Sequence, residues 1–247
     1  EDKVKVEANF TEGSVLLDEL NVFYNEFGIN QRADFSTKLY GTLNNLTAQN
    51  LKLETSRNTK IYGTLNFKNL FNAEDNNFAM QGDFENLSSN YKDLKALLPN
   101  VLGQSIPTIF DKLGNFKVVG NTNITTQKIK ADLEISTSLG YVNSNLEMSN
   151  INNIDYASYK GNIILDEFNL GKMLDDPNLG NTSLNVDVDG VGFKKENLKT
   201  QLKGDIYSIN YNKYTYQGIV VNGQYKQSKF NGKLVANDKN LQLEFNG

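Results

Sequence analysis

Apolar and polar residues alternate along most of this chain. In Ile61-Tyr62-Gly63-Thr64-Leu65-Asn66-Phe67-Lys68 the odd positions are apolar or glycine. In Ile129-Lys130-Ala131-Asp132-Leu133-Glu134-Ile135 they are apolar again, and every residue between them is charged. Leu184-Asn185-Val186-Asp187-Val188-Asp189 and Leu241-Gln242-Leu243-Glu244-Phe245 follow the same rule. Successive strand residues point to opposite faces, so period two predicts strands with one greasy and one wet face. Such strands belong to an antiparallel sheet solvated on one side, not to a parallel sheet covered on both.

The alternating segments repeat. Tyr40-Gly41-Thr42-Leu43-Asn44 recurs as Tyr62-Gly63-Thr64-Leu65-Asn66, and Gly82, Gly120 and Gly161 head looser copies. Near the C-terminus Gly190, Gly204, Gly218 and Gly232 fall 14 residues apart. That spacing holds one strand of about six to ten residues plus a turn. The glycines are expected at a turn or bulge where each strand begins.

One stretch changes period. From Asn90 to Gly114 the apolar residues Tyr91, Leu94, Leu97 and Leu98 recur at helical spacing. Asn90 with Asp93 predicts an N-terminal cap, and Pro99 predicts the end of the helix. Pro107 opens a second short helix that Gly114 closes. A further helical turn is expected around Leu170–Leu174. No linker divides the chain. The reading is one elongated β-repeat domain over 1–247, with a helical insert at about 88–114.

Such a chain has a coverage problem. Roughly ten to eighteen strands each need something over an apolar face, and two small helices cannot supply it. The sheet could fold into a sandwich, close as a barrel, or stay curled and open as an apolar trough. About fifteen strands side by side would span roughly 70 Å. A trough that long exposes more apolar surface than a soluble monomer tolerates, unless something long and greasy fills it.

Composition removes many alternatives. Among 247 residues there is no Cys, His or Trp. That excludes Ser-His-Asp and Cys-His nucleophilic systems, His- or Cys-ligated zinc and disulfides. Of 25 basic residues only Arg32 and Arg57 are arginines, and the net charge is −4. This composition does not suit nucleic acid. The chain begins at Glu1 without a signal-peptide pattern, and no apolar run reaches the ~20 residues of a membrane-spanning helix. It reads as a mature product or an excised segment.

The repeated Gly-x-Leu-x-Leu-like units resemble those of TamB-like proteins of the AsmA superfamily, especially the Bacteroidota type. So does Leu165-Asp166-Glu167-Phe168-Asn169-Leu170-Gly171-Lys172-Met173-Leu174-Asp175-Asp176-Pro177, with Val186-Asp187-Val188-Asp189-Gly190 after it. The run Ile206-Tyr207-Ser208-Ile209-Asn210-Tyr211 through Tyr216 is similar too. The resemblance covers most of the chain. It implies a mainly β fold, an elongated, curled antiparallel repeat sheet with a β-taco-like apolar groove. It further implies a periplasmic, inner-membrane-anchored parent protein in a Gram-negative envelope. That parent would carry phospholipid toward the outer membrane or assist outer-membrane protein assembly. The partners implied are phospholipid acyl chains and an outer-membrane BamA/TamA-like barrel, the latter met through parts of the parent outside this segment. No cofactor, metal or catalytic role is implied.

The candidate lining of the groove is Ile61, Leu65, Phe67, Leu133, Ile135, Leu184, Val186, Val188, Leu241, Leu243 and Phe245. The same residue types would build the dry core of a β-sandwich, so alternation alone leaves a structural or adhesive surface module open. An outer-membrane barrel ranks third, because the strands are read as short and their turns as irregular. Asp187-x-Asp189-Gly190 looks like the start of a calcium loop. However, Val191 and Leu198 stand where that loop needs oxygen ligands, and a solvated strand face explains the aspartates. Tyr207, Tyr211, Tyr214 and Tyr216 suit stacking on sugars or bases, and exposed β-propensity accounts for them equally. In the helical insert Leu97, Leu98, Val101, Leu102, Ile109 and Phe110 are expected to plug one end of the sheet. Docking on a membrane or partner is the alternative.

Overall fold

A computed structural model of the chain describes residues 4–22, 27–70, 77–97, 99, 106–194, 196–227 and 229–247. Fourteen strands form one antiparallel sheet, unclosed and curved, in which every strand pairs with its neighbours in sequence. They are β1 (Lys5–Leu16), β2 (Arg32–Thr42), β3 (Asn45–Thr55), β4 (Lys60–Lys68), β5 (Ala79–Asn90), β6 (Asn115–Thr125) and β7 (Lys128–Thr137). Then come β8 (Gly140–Ser149), β9 (Ser158–Asn169), β10 (Leu179–Val191), β11 (Lys199–Tyr211), β12 (Tyr214–Lys226), β13 (Lys229–Asp238) and β14 (Leu241–Asn246). β1 and β14 are the free edges, and no second sheet lies over the first among the described residues. The sandwich and barrel arrangements are therefore not adopted.

Most strands are longer than the expected six to ten residues. β10, β11 and β12 have 13 residues each, joined by connections of seven and two residues. A 13-residue strand and its two-residue turn take 15 residues, one more than the glycine period. The glycines also lie elsewhere than expected. Gly63 and Gly204 sit in the middle of β4 and β11, at φ 147° and 153°. A Cβ on Gly63 would run into the Asp83 carbonyl oxygen across the ladder, and one on Gly204 into that of Asn185. Only glycine accepts both the positive φ and the close approach of the next strand. Part of the bulge expectation holds, since the β4–β5 register slips beside Gly63.

Both α-helices and two of the three 3-10 segments lie at one end of the strands, and the 3-10 segment Ile151–Tyr156 lies at the other. α1 (Tyr91–Leu97) follows β5 directly, so the insert begins at Tyr91 and not near 88. The Asn90 side chain accepts from the Asp93 N–H at 2.9 Å and donates to its carboxylate at 2.6 Å, which is the expected cap. Pro107 precedes a 3-10 helix over Thr108–Leu113, and Gly114 ends it at φ 66°. α2 (Leu170–Leu174) is capped by Asn169, whose side chain accepts from Lys172 N–H. Two more 3-10 segments, Leu17–Val22 and Ile151–Tyr156, were not expected from the pattern. Leu98, Val101 and Leu102 of the predicted insert lie outside the described residues. No described helix is long and apolar enough to cross a membrane.

Candidate functional site

The register assembles the alternating residues into continuous rows. Paired residues of an antiparallel ladder share a face, so a row can be followed from strand to strand. One row begins Gly13, Phe35, Leu53, Ile61, Leu87, Val118. It continues through Ile135, Val142, Leu165, Leu184, Ile206, Ile219, Ala236 and Leu243. Every strand contributes, and no member is polar.

Three further rows run parallel to it on the same face. The second carries Phe84, Leu133, Ile163, Val186, Val221 and Phe245, with Gly63, Gly120 and Gly204 between larger residues. The third includes Leu39, Ala48, Leu65, Leu146, Val188 and Leu202. The fourth includes Leu46, Phe67, Met80, Ile129, Met148 and Tyr159. Ser144, Thr122 and Thr200 are polar exceptions within these rows. Thirteen inter-strand steps of about 4.8 Å make the face about 62 Å long. Three two-residue steps along a strand make the four rows about 20 Å deep.

All eleven candidate lining residues fall on this face. Ile61, Ile135, Leu184 and Leu243 are in the first row, and Leu133, Val186 and Phe245 in the second. Leu65 and Val188 are in the third and Phe67 in the fourth. Leu241 lies just beyond the first row, opposite Asp238. They differ in cover. Val186 is 6% exposed, whereas Leu243 and Phe245 on the edge strand are 44% and 41% exposed. Residues such as Leu53, Leu87, Val118, Leu165 and Ile219 belong to the face equally. Their alternation was present in the sequence, and only their strand limits were harder to see.

Burial is local. One cluster joins Ala48, Leu51, Leu65 and Phe84 of β3–β5, another Tyr159, Val186, Val188 and Val221 of β9–β12. The glycine in each interval lets its large neighbours meet: Val186 and Val221 face each other across Gly204. No cluster joins strands from distant parts of the sheet among the described residues. Burial pushes the Tyr159 phenol up from its ordinary pKa, with a Thr200 hydrogen bond acting the other way.

Helices cover one end of the face. Leu17 and Leu97 pack on Ala33, beside Leu53 and Ile61. Leu113 and Phe110 pack with Leu139, Leu165 and Phe168, joined by Met173 of α2. Hydrogen bonds to backbone carbonyls tie these covers down, Gly28 N–H donating to Leu97 O at 3.1 Å and the Lys112 side-chain Nζ to Met173 O at 3.0 Å. This is the plug expected for the insert, extended by segments from two other connections. The opposite end is mostly left to short turns. Among the described residues the cover there comes from the Ile151–Tyr156 segment and the connection after β10, whose Phe193 ring lies 5.0 Å from that of Tyr159. Lys194 pins them together by an ion pair of 2.6 Å to Asp155.

The other face is polar. Its central row runs Thr64, Asp83, Asn121, Asp132, Asn145, Asn162, Asp187, Lys203, Asn222 and Lys233. Asn162 donates to Asn185 at 2.8 Å and to Asp187 at 3.0 Å, so asparagine serves here as a cross-strand ladder. A hollow of about 430 Å³ opens between Thr64, Asp83, Asn121 and Asp132. Asp187 and Asp189 are exposed on β10, and Asp189 pairs with Lys160 at 3.4 Å, as a solvated strand face requires. Tyr207 and Tyr211 are exposed, and Tyr214 packs edge-on against Tyr216 at 4.6 Å. At the β13–β14 turn, beyond the first apolar row and on Leu241's face, buried Asp238 accepts from Tyr214 Oη at 2.7 Å, Asn240 N–H at 2.8 Å and Gln217 N–H at 3.1 Å. These hydrogen bonds, that of Asn240 first, hold its carboxyl below the usual pKa.

Comparison with family models, with curated proteins and with solved structures finds no match to this chain.

Proposed function

We propose that the chain is a passive lipid-binding segment whose apolar face accommodates phospholipid acyl chains, as a TamB-like protein of the bacterial envelope would. The observation that carries this reading is the set of four apolar rows in register across an unclosed sheet that no second sheet covers among the described residues. A face about 20 Å deep suits an acyl chain, since each leaflet of a bilayer's hydrocarbon core is about 15 Å thick. The repetition of rows at the strand spacing offers equivalent resting positions along about 62 Å. Weak, repeated contacts of this kind allow a chain to move without a deep trap. Direction would have to come from elsewhere, because the proposed role uses no catalytic group. On this reading the protein works in the periplasm and meets its barrel partner through other parts of a longer parent.

Site-specific photocrosslinking tests the proposal. A benzophenone side chain at Ile135 or Leu184 is expected to capture phospholipid in cells. The same group at Glu134 or Asn185, one residue away and on the opposite face, is expected to capture none. Equal capture from both faces, or capture from neither, would overturn it.

A further inference from the structure

One residue beyond the fourth apolar row, at the end opposite α1 and α2, the register lines up a row of lysines. Its members include Lys5, Lys68, Lys128, Lys199, Lys226 and Lys229, and the positions paired between them are Thr42, Asn45, Ala79, Thr125, Ser149, Ser158 and Val191. This row contains no acid. All six lysines are exposed, and none of them enters an ion pair among the described residues. The helix-covered end differs: its cover carries Asp18, Glu19, Asp93, Asp111, Asp175 and Asp176 against Lys92, Lys95, Lys112 and Lys172.

The concentration peaks at one corner. Lys199 is the direct cross-strand partner of Lys226, and Lys226 of Lys229. Like charges directly opposite each other destabilise a ladder, so three in succession call for an anion. Their polar-face neighbours Gln201, Gln224 and Asn231 are uncharged amides, and the adjoining residues of the apolar face are Thr200, Tyr225 and Phe230. By register the nearest carboxylate is Asp189, opposite Gln201, and it pairs with Lys160 at 3.4 Å. Glu196 stands on the connection three residues before Lys199, and Asp155 is held by Lys194. A lysine stem is long enough to carry its ammonium around a strand end while the stem lies on apolar surface.

We propose that this lysine row, and the Lys199–Lys226–Lys229 corner above all, holds the phosphate of an anionic phospholipid whose acyl chains lie on the apolar face beside it. The inference rests on the lipid-binding reading and adds the ligand's polarity and orientation: head group toward the turn end, tails toward the helices. Charge complementarity selects the occupant, since the row presents positive charge alone at the border of an apolar surface.

The test uses the full chain with two monomeric probes of identical acyl chains, fluorescent dioleoyl phosphatidylglycerol and dioleoylglycerol, which lacks phosphate. The wild type is expected to prefer the phospholipid by about tenfold at low salt, falling toward parity as salt rises. The triple variant Lys199→Gln, Lys226→Gln, Lys229→Gln is expected to lose most of this preference while binding dioleoylglycerol unchanged. Equal wild-type binding of both probes would overturn the head-group proposal and leave the acyl-binding reading standing. Binding of neither would overturn both. Flotation with phosphatidylglycerol vesicles, lost in the triple variant but without uptake of the monomeric probe, would reassign the lysines to a membrane surface and overturn it too.

Discussion

Placing a carboxylate on the apolar face should have very different costs in different strands. Val186 lies in the interior of the sheet, with Ile163 and Gly204 as direct partners and Tyr159, Val188 and Val221 around it. Val186→Asp forfeits about 2 kcal/mol of apolar burial. It also buries a polar group whose one donor-bearing neighbour among these, the Tyr159 hydroxyl, is engaged with Thr200, for about 1–3 kcal/mol more even as the neutral acid. The expected cost is about 3–5 kcal/mol. Leu243 is 44% exposed on the edge strand β14, so Leu243→Asp should cost about 1 kcal/mol and leave its carboxylate in water. Hydrogen exchange read by mass spectrometry measures each effect locally, which suits a sheet in which every strand pairs with its sequence neighbours. Val186→Asp should loosen β9–β11, and Leu243→Asp should change little beyond β13 and β14. Acyl-probe binding should fall in the Leu243 variant although its fold persists. If Leu243→Asp proved as costly as Val186→Asp, something would have to cover β14, and the uncovered face would be wrong.

Other outcomes follow from single positions. Gly204→Ala should destabilise by about 2–4 kcal/mol, from its φ of 153° and the Asn185 carbonyl against which a Cβ would press. Gly218→Asn, at φ 63° with no backbone atom nearer than 3.3 Å to a Cβ, should cost under about 1 kcal/mol. Paired urea titrations followed by circular dichroism check the contrast. Asn90→Ala should cost about 1 kcal/mol by removing the α1 cap, seen as faster exchange of the Tyr91–Leu97 amides. The Asp238 pKa is lowered in the fold, so its stabilisation is present above its unfolded value near 3.9 and lost as pH falls through the folded value. Wild-type protection of β12–β14 should therefore drop below about pH 4, and Asp238→Asn should be less protected at pH 7 and flatter with pH.

Much of this architecture could be read from the chain because period two assigns each residue to a face. Ile61, Leu133, Val186 and Leu243 come from distant strands, yet all land on one surface. What alternation cannot state is lateral neighbourhood. Whether the sheet folds over itself, closes or stays open depends on pairing between strands, and the same Leu and Val suit all three. The lysine row was hidden for that reason: Lys128, Lys199 and Lys226 look unremarkable until register aligns them. The glycines misled because turn chemistry and close strand approach select the same residue, and at Gly63 and Gly204 the second requirement operates. The cap at Asn90 was legible from Asp93 three residues on, whereas the cap at Asn169 was not anticipated. Pro107, Gly114 and Pro177 bracket the short helices at 108–113 and 170–174, whereas no proline or glycine adjoins the 3-10 segments at 17–22 and 151–156.

The most direct test of the central claim is native mass spectrometry of the purified chain, with solvent extraction and lipid analysis of the same sample. An acyl-binding face of this length should carry phospholipid in several copies per chain, displaced by a fluorescent acyl probe. A chain that carries no lipid and refuses the probe would contradict that claim.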